Sequence, residues 1–71
     1  MKDLSLLDVV ALTKDLPENN LSRGQVGTIV EMLAPDVYEI EFSDDNGEPY
    51  CFQALAANQL MLLHYNYLKA A

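Results

Sequence analysis

One stretch restricts the fold more than any other: Val37-Tyr38-Glu39-Ile40-Glu41-Phe42, followed by Ser43-Asp44-Asp45-Asn46-Gly47. Tyr38, Ile40 and Phe42 alternate with Glu39 and Glu41, so an extended chain places the first three on one face and the two carboxylates on the other. That is the pattern of a half-buried strand with a solvated side. Asn-Gly after such a strand is the strongest short signal for a hairpin, because both residues tolerate positive φ. A helix cannot present this alternation as one apolar stripe, so the centre of the chain is read as a β-hairpin.

Around the hairpin, apolar bursts alternate with turn chemistry. Residues 6–13 form the first burst and end in Lys14-Asp15-Leu16-Pro17-Glu18-Asn19-Asn20, a polar loop. Residues 24–33 form the second, rich in β-branched side chains at Val26, Thr28, Ile29 and Val30. Ala34-Pro35-Asp36 turns the chain into the central strand. Residues 48–55 form the fourth burst, with Pro49 suited to an edge or to the first positions of a strand. A short helical turn is expected over residues 54–58, and a last strand over residues 59–65.

Five short strands with one helical turn before the last suggest an all-β fold, a small five-stranded SH3-like barrel. Closing a sheet on itself lets a short chain bury apolar side chains while exposing few edges. An OB-like barrel is the competing architecture, and it ordinarily needs a longer chain and a full helix. With 71 residues, 51% of them hydrophobic and 21% charged, the chain suits one folded domain and is too short for two. The expected boundaries are 5–66 for the barrel and 67–71 for a C-terminal tail.

Charge narrows the function classes. Four Lys or Arg against eleven Asp or Glu give a net charge of -7. This opposes any contact that depends on neutralising phosphates, so nucleic acid is disfavoured as a partner. No Lys or Arg occurs between Gly24 and Leu68, whereas Glu31, Asp36, Glu39, Glu41, Asp44, Asp45 and Glu48 crowd into residues 31–48. The plain reading is a solvated face that confers solubility. The sharper one is a negative patch at Glu39, Glu41, Asp44, Asp45 and Glu48 that steers a basic protein partner. The turn also carries oxygen ligands, but it lacks the spaced series and closing Glu of a calcium loop, and no metal is assigned.

Arg23-Gly24-Gln25-Val26-Gly27-Thr28 resembles the KOW element of ribosomal and transcription-factor SH3-like domains. In such domains RNA is held by basic loops, and this chain has only Arg23 nearby. Gly24 and Gly27 are assigned structural roles: a turn at Gly24, and a bulge or close backbone approach at Gly27. Asn46 and Gly47 are likewise turn residues. Cys51 and His64 show no spacing that would pair a nucleophile with a base, so no catalytic residue, no cofactor and no enzymatic activity are expected. The lone Cys allows no internal disulfide, and no membrane-length apolar run occurs. A soluble, cytoplasmic protein is the expectation.

Apolar residues remain beyond what one sheet face hides. Val9, Val10, Ala11 and Leu12 are consecutive, as are Leu60, Met61, Leu62 and Leu63, and consecutive residues of a strand point to opposite faces. Met61 and Tyr65, with Tyr67 nearby, are therefore candidates for a partner-binding patch. A homo-oligomer joined through the first and last strands is a further reading.

The ordered series Leu6-Leu7-Asp8-Val9-Val10-Ala11-Leu12, Asp15-Leu16-Pro17-Glu18, Leu21, Arg23 to Thr28, Val37 to Phe42, Asn46-Gly47 and Gln59-Leu60 resembles a bacterial family of small proteins. That family is classed as a domain of unknown function and is common in photosynthetic bacteria; the likeness spans residues 6–65. The resemblance implies an SH3-like barrel and, from the toxin-like neighbours of its members, an antitoxin or immunity role. Joined to the acidic patch, this gives the expected function: a non-enzymatic protein-binding module, the acidic partner of a basic, nuclease-like protein, with a KOW-like nucleic-acid binder as the alternative. The resemblance implies no functional residues. A looser likeness to the SH3-like subunit of the photosynthetic NAD(P)H dehydrogenase-like complex implies a small accessory subunit that docks ferredoxin. Ferredoxin is itself acidic, which a chain of net charge -7 would repel.

Overall fold

The alternation at the centre of the chain produces the middle of a five-stranded antiparallel sheet. The computed structural model describes residues 4–63. Its strands are β1 (Val9–Leu12), β2 (Val26–Ala34), β3 (Val37–Ser43), β4 (Pro49–Ala56) and β5 (Leu60–Leu62). They lie in the order β4-β3-β2-β1-β5. β2, β3 and β4 form a meander, and the chain then returns so that β5 pairs with β1. Among the described residues β4 and β5 do not pair with each other, so they are the two edges of the sheet.

The core lies on the face that carries Tyr38, Ile40 and Phe42. Val10, Leu12, Ile29, Leu55 and Leu60 meet them there, and Leu4 and Leu21 close the cluster from outside the strands. Gly27 stands opposite Phe42 within β2, and the strands meet closely at this point. A Cβ there would lie 2.6 Å from Ile40 Cγ2 and 2.9 Å from the Glu41 carbonyl oxygen, separations that no side chain can occupy. Gly27 thus sits at a close backbone approach inside a strand, one of the two roles expected of it, and neither in a turn nor at a bulge, since the sheet's register shifts fall elsewhere.

Local differences from the sequence reading have identifiable causes. Leu6 and Leu7 precede β1 in a turn: the Asp8 amide donates to the Ser5 carbonyl, Asp8 Oδ2 accepts from the Ser5 amide, and Leu7 takes φ 70°. β4 continues through Ala56, and the helical turn expected over residues 54–58 is a 3-10 turn at Ala57–Gln59. Gln59 sets that boundary, because its Oε1 accepts the Ala56 amide at 2.9 Å. A second 3-10 turn, Pro17–Asn19, interrupts the first loop. Leu16 and Leu21 bridge across its base, which lets Leu21 enter the core.

Two hairpin turns are built differently. Pro35 and Asp36 link β2 to β3, with Asp36 at φ 63°, the left-handed value a type II turn needs at its second central residue. Between β3 and β4 the Gly47 amide donates to the Asp44 carbonyl, and the Asp44 amide donates to the Glu48 carbonyl. Gly47 has φ 79° and Asn46 has no positive φ. This is a three-residue loop closed by a left-handed Gly, where Asn-Gly suggested two adjacent left-handed residues.

Candidate functional site

Cross-strand partners share a face of the sheet, so the pairing register places every outward side chain. One outward row reads Val9, Thr28, Glu41, Phe52 across β1, β2, β3 and β4. The next row toward the Pro35 turn reads Glu31, Glu39, Ala54. On the other side Met61, Ala11 and Val26 lie abreast on β5, β1 and β2. Carboxylates therefore occupy the middle of the outer face, with apolar side chains to either side.

The bulge at Val30 explains why Glu31 belongs to this group. Ile29 faces Ile40 and Glu31 faces Glu39, so β2 spends two steps where β3 spends one. Unbroken alternation after the inward Ile29 would send Glu31 into the core, and the extra residue turns its charge outward instead. The result is two glutamates directly opposite each other, an arrangement that costs about 0.2–1 kcal/mol. The carboxylates of Glu31, Glu39 and Glu41 have no hydrogen-bond or ion-pair partner among the described residues. Three carboxylates without a protein counter-charge among the described residues give this part of the outer face a negative potential.

Ala11 is buried, and the larger apolar side chains of the flanks face solvent. Phe52 is 55% exposed, Tyr50 51%, Met61 51% and Val26 44%. Tyr50 is the extra residue where Ser43 pairs with Pro49 and Phe42 with Cys51. Its hydroxyl oxygen accepts from Gln25 Nε2 at 2.6 Å, and Gln25 Oε1 accepts from the Ser22 amide. Tyr50 is thereby braced against the loop that leads into β2. Cys51, on the opposite face, packs against the core.

The remaining sequence candidates divide by role. Asp44, Asp45 and Glu48 sit at the exposed β3–β4 tip. Asp44 is committed to the loop, since its Oδ1 accepts the amides of Asn46 at 2.9 Å and Glu48 at 3.0 Å. Gly24 adopts φ 91° in the turn before β2. Of the apolar candidates, Met61 stands on the outer face, whereas Val10, Ala11, Leu12 and Leu60 are buried. Tyr65, His64, Tyr67 and the tail 67–71 lie outside the described residues.

The sequence pattern does not mark Val26, Tyr50 and Phe52 as outward-facing. Outward exposure on β4 follows from the register opposite Glu41, and the irregular run in residues 48–55 conceals it. Elsewhere, a shallow recess of about 400 Å³ is lined by Asp15, Pro17, Asn20, Leu21 and Ser22. Its one ionisable wall residue, Asp15, accepts the Arg23 amide through Oδ1. Among the described residues no three His, Cys, Asp or Glu side chains gather to hold a metal ion, and no helix is long and apolar enough to cross a membrane.

No curated protein and no solved structure matches the chain. A family model described as "Domain of unknown function (DUF4926)" matches residues 6–62, from the turn before β1 to the end of β5, and so takes in every strand that builds the outer face. The chain belongs to this family of unknown function.

Proposed function

We propose that this chain is a non-enzymatic protein-binding module of SH3-like architecture that receives a basic protein on the outer face of its sheet. The concrete form of the reading is an acidic antitoxin or immunity partner of a nuclease-like protein. One observation carries it: Glu31, Glu39 and Glu41 stand unpaired on neighbouring strands, bordered by exposed Phe52, Tyr50 and Val26. Such a surface suits a partner that offers Lys or Arg beside aliphatic or aromatic groups, because charge steers the encounter and desolvated apolar contacts hold it. The return of β5 to β1 after a 3-10 turn supports the SH3-like assignment.

The test is copurification with the product of the adjacent gene, using the native chain and a Glu39→Lys/Glu41→Lys variant. The native chain should retain the partner with an affinity that falls as salt rises. The double variant should lose at least about tenfold in affinity, the scale of removing close charge pairs from an interface. Equal retention with an unchanged salt slope would take the acidic face out of the interaction.

A further inference from the structure

We infer that the basic partner is bound by strand addition: an extended Lys- or Arg-bearing segment joins the sheet as a sixth strand along the free edge of β4. The inference rests on the basic-partner reading above and specifies how that partner is held.

Hydrogen bonding locates the free groups on this edge. The Ile29 amide donates to the Asp8 carbonyl at 2.9 Å and its carbonyl accepts the Leu7 amide at 2.7 Å, so the backbone of Ile29 faces β1. Its partner Ile40 must then turn its amide and carbonyl to Gln53 on β4, because bonded and non-bonded pairs alternate in an antiparallel ladder. Phe52 and Ala54, one residue to either side of Gln53, accordingly point their amides and carbonyls away from β3 to the open edge. The Ala54 carbonyl meets Gln53 Nε2 at 3.5 Å, and the outward Ala56 amide is taken by Gln59. The Phe52 amide and carbonyl and the Ala54 amide have no partner among the described residues.

Edges of this kind are ordinarily protected by charge, proline or a covering element. β4 carries no charged residue from Pro49 to Ala56, and its only proline is the first residue. The charge sits one strand inward, on Glu39 beside Ala54 and Glu41 beside Phe52. A residue added next to Ala54 would have its Cα roughly 10 Å from that of Glu39, two strand spacings away. Only a methyl group stands between them, so a Lys or Arg on the added strand can lie across Ala54 to the carboxylate. Two residues along the added strand, on the same face, a second cation lies over the exposed Phe52 ring. Ladder hydrogen bonds would supply affinity, and the alternating cations would supply selectivity and register.

The probe is an eight-residue peptide of alternating Val and Lys, added to the full chain at low salt and followed by amide NMR. A second peptide is N-methylated on the residues whose amides would face β4. The expected result is that the first peptide shifts the Phe52 and Ala54 amides and slows their exchange with solvent. The methylated peptide should bind at least about tenfold more weakly, the effect of losing two or more hydrogen bonds. Ala54→Pro removes one outward amide without touching the β3 ladder and should weaken the first peptide alike; should that variant fail to fold, the methylated peptide decides. Equal binding of both peptides, with shifts confined to the neighbourhood of Glu39 and Glu41, overturns strand addition and leaves the acidic-face reading standing. Absence of binding by either peptide removes both. Phe52 and Ala54 amides already protected in the free chain would also overturn the inference, since its own C-terminal residues or a second copy would then occupy the edge.

Discussion

The two faces of β3 are made by one hexapeptide and behave as opposites. Inward, Tyr38, Ile40 and Phe42 are all buried and meet Ile29, Gly27 and Leu55. Outward, Glu39 and Glu41 are only partly covered, and one of them confronts another glutamate. The inner face is a solved packing problem in which each group has its complement. The outer face keeps like charges opposite each other, and their hydration rather than protein packing satisfies them. That contrast distinguishes the part of this protein that maintains the fold from the part on which the proposed binding would depend.

The contrast breaks most severely at Phe42. Phe42→Ala should cost about 3–5 kcal/mol in chemical denaturation, the range for emptying a buried aromatic site. A chain this small has a total stability of similar size, so the variant should be largely unfolded at 25 °C. Retention of a cooperative transition within about 1 kcal/mol of the parent would mean that Phe42 is not central to the core.

The β3–β4 tip lies between the two faces in kind: it carries charge but uses part of it internally. Asp44→Ala should lose about 1–2 kcal/mol by releasing two amide contacts, whereas Asp44→Asn should recover most of the loss, because an amide oxygen can accept the same bonds. Equal losses in the two variants would assign Asp44 a purely electrostatic role. Smallest is the change on the outer face itself. Glu31→Lys converts a like-charge cross-strand pair into an opposite one and should raise stability by about 0.2–1 kcal/mol at low salt, while weakening any basic partner. A destabilised Glu31→Lys variant would show that the glutamate pair is not a cost in the free protein.

Much of the architecture is legible in the residues. Period-2 alternation marks β3, the β-branched run marks β2, and Pro35 with Asp36 marks the turn between them. The helical turn before the last strand is also present, displaced to Ala57–Gln59 by a capping contact between side chain and backbone that periodicity does not describe. The candidate site is less legible. Glu39 and Glu41 can be assigned to a common face from spacing alone, whereas Glu31 joins them only through an extra residue in β2. Phe52 and Tyr50 look like ordinary core candidates until register and the bulge at Tyr50 turn them outward.

The sequence by itself determined the class of object: alternation and turn residues act over two to four positions, so they dictate strands and hairpins wherever they occur. It also determined that acid would be concentrated in one segment, since composition along the chain is independent of folding. Tertiary structure alone decided which strands are neighbours, that β5 returns to β1, that Val30 is skipped so that Glu31 meets Glu39, and that no described strand pairs with the outer edge of β4. Those outcomes depend on how the whole sheet packs over one buried cluster. A one-residue step in register exchanges the faces of everything beyond it, and only the packing of the completed core selects the step.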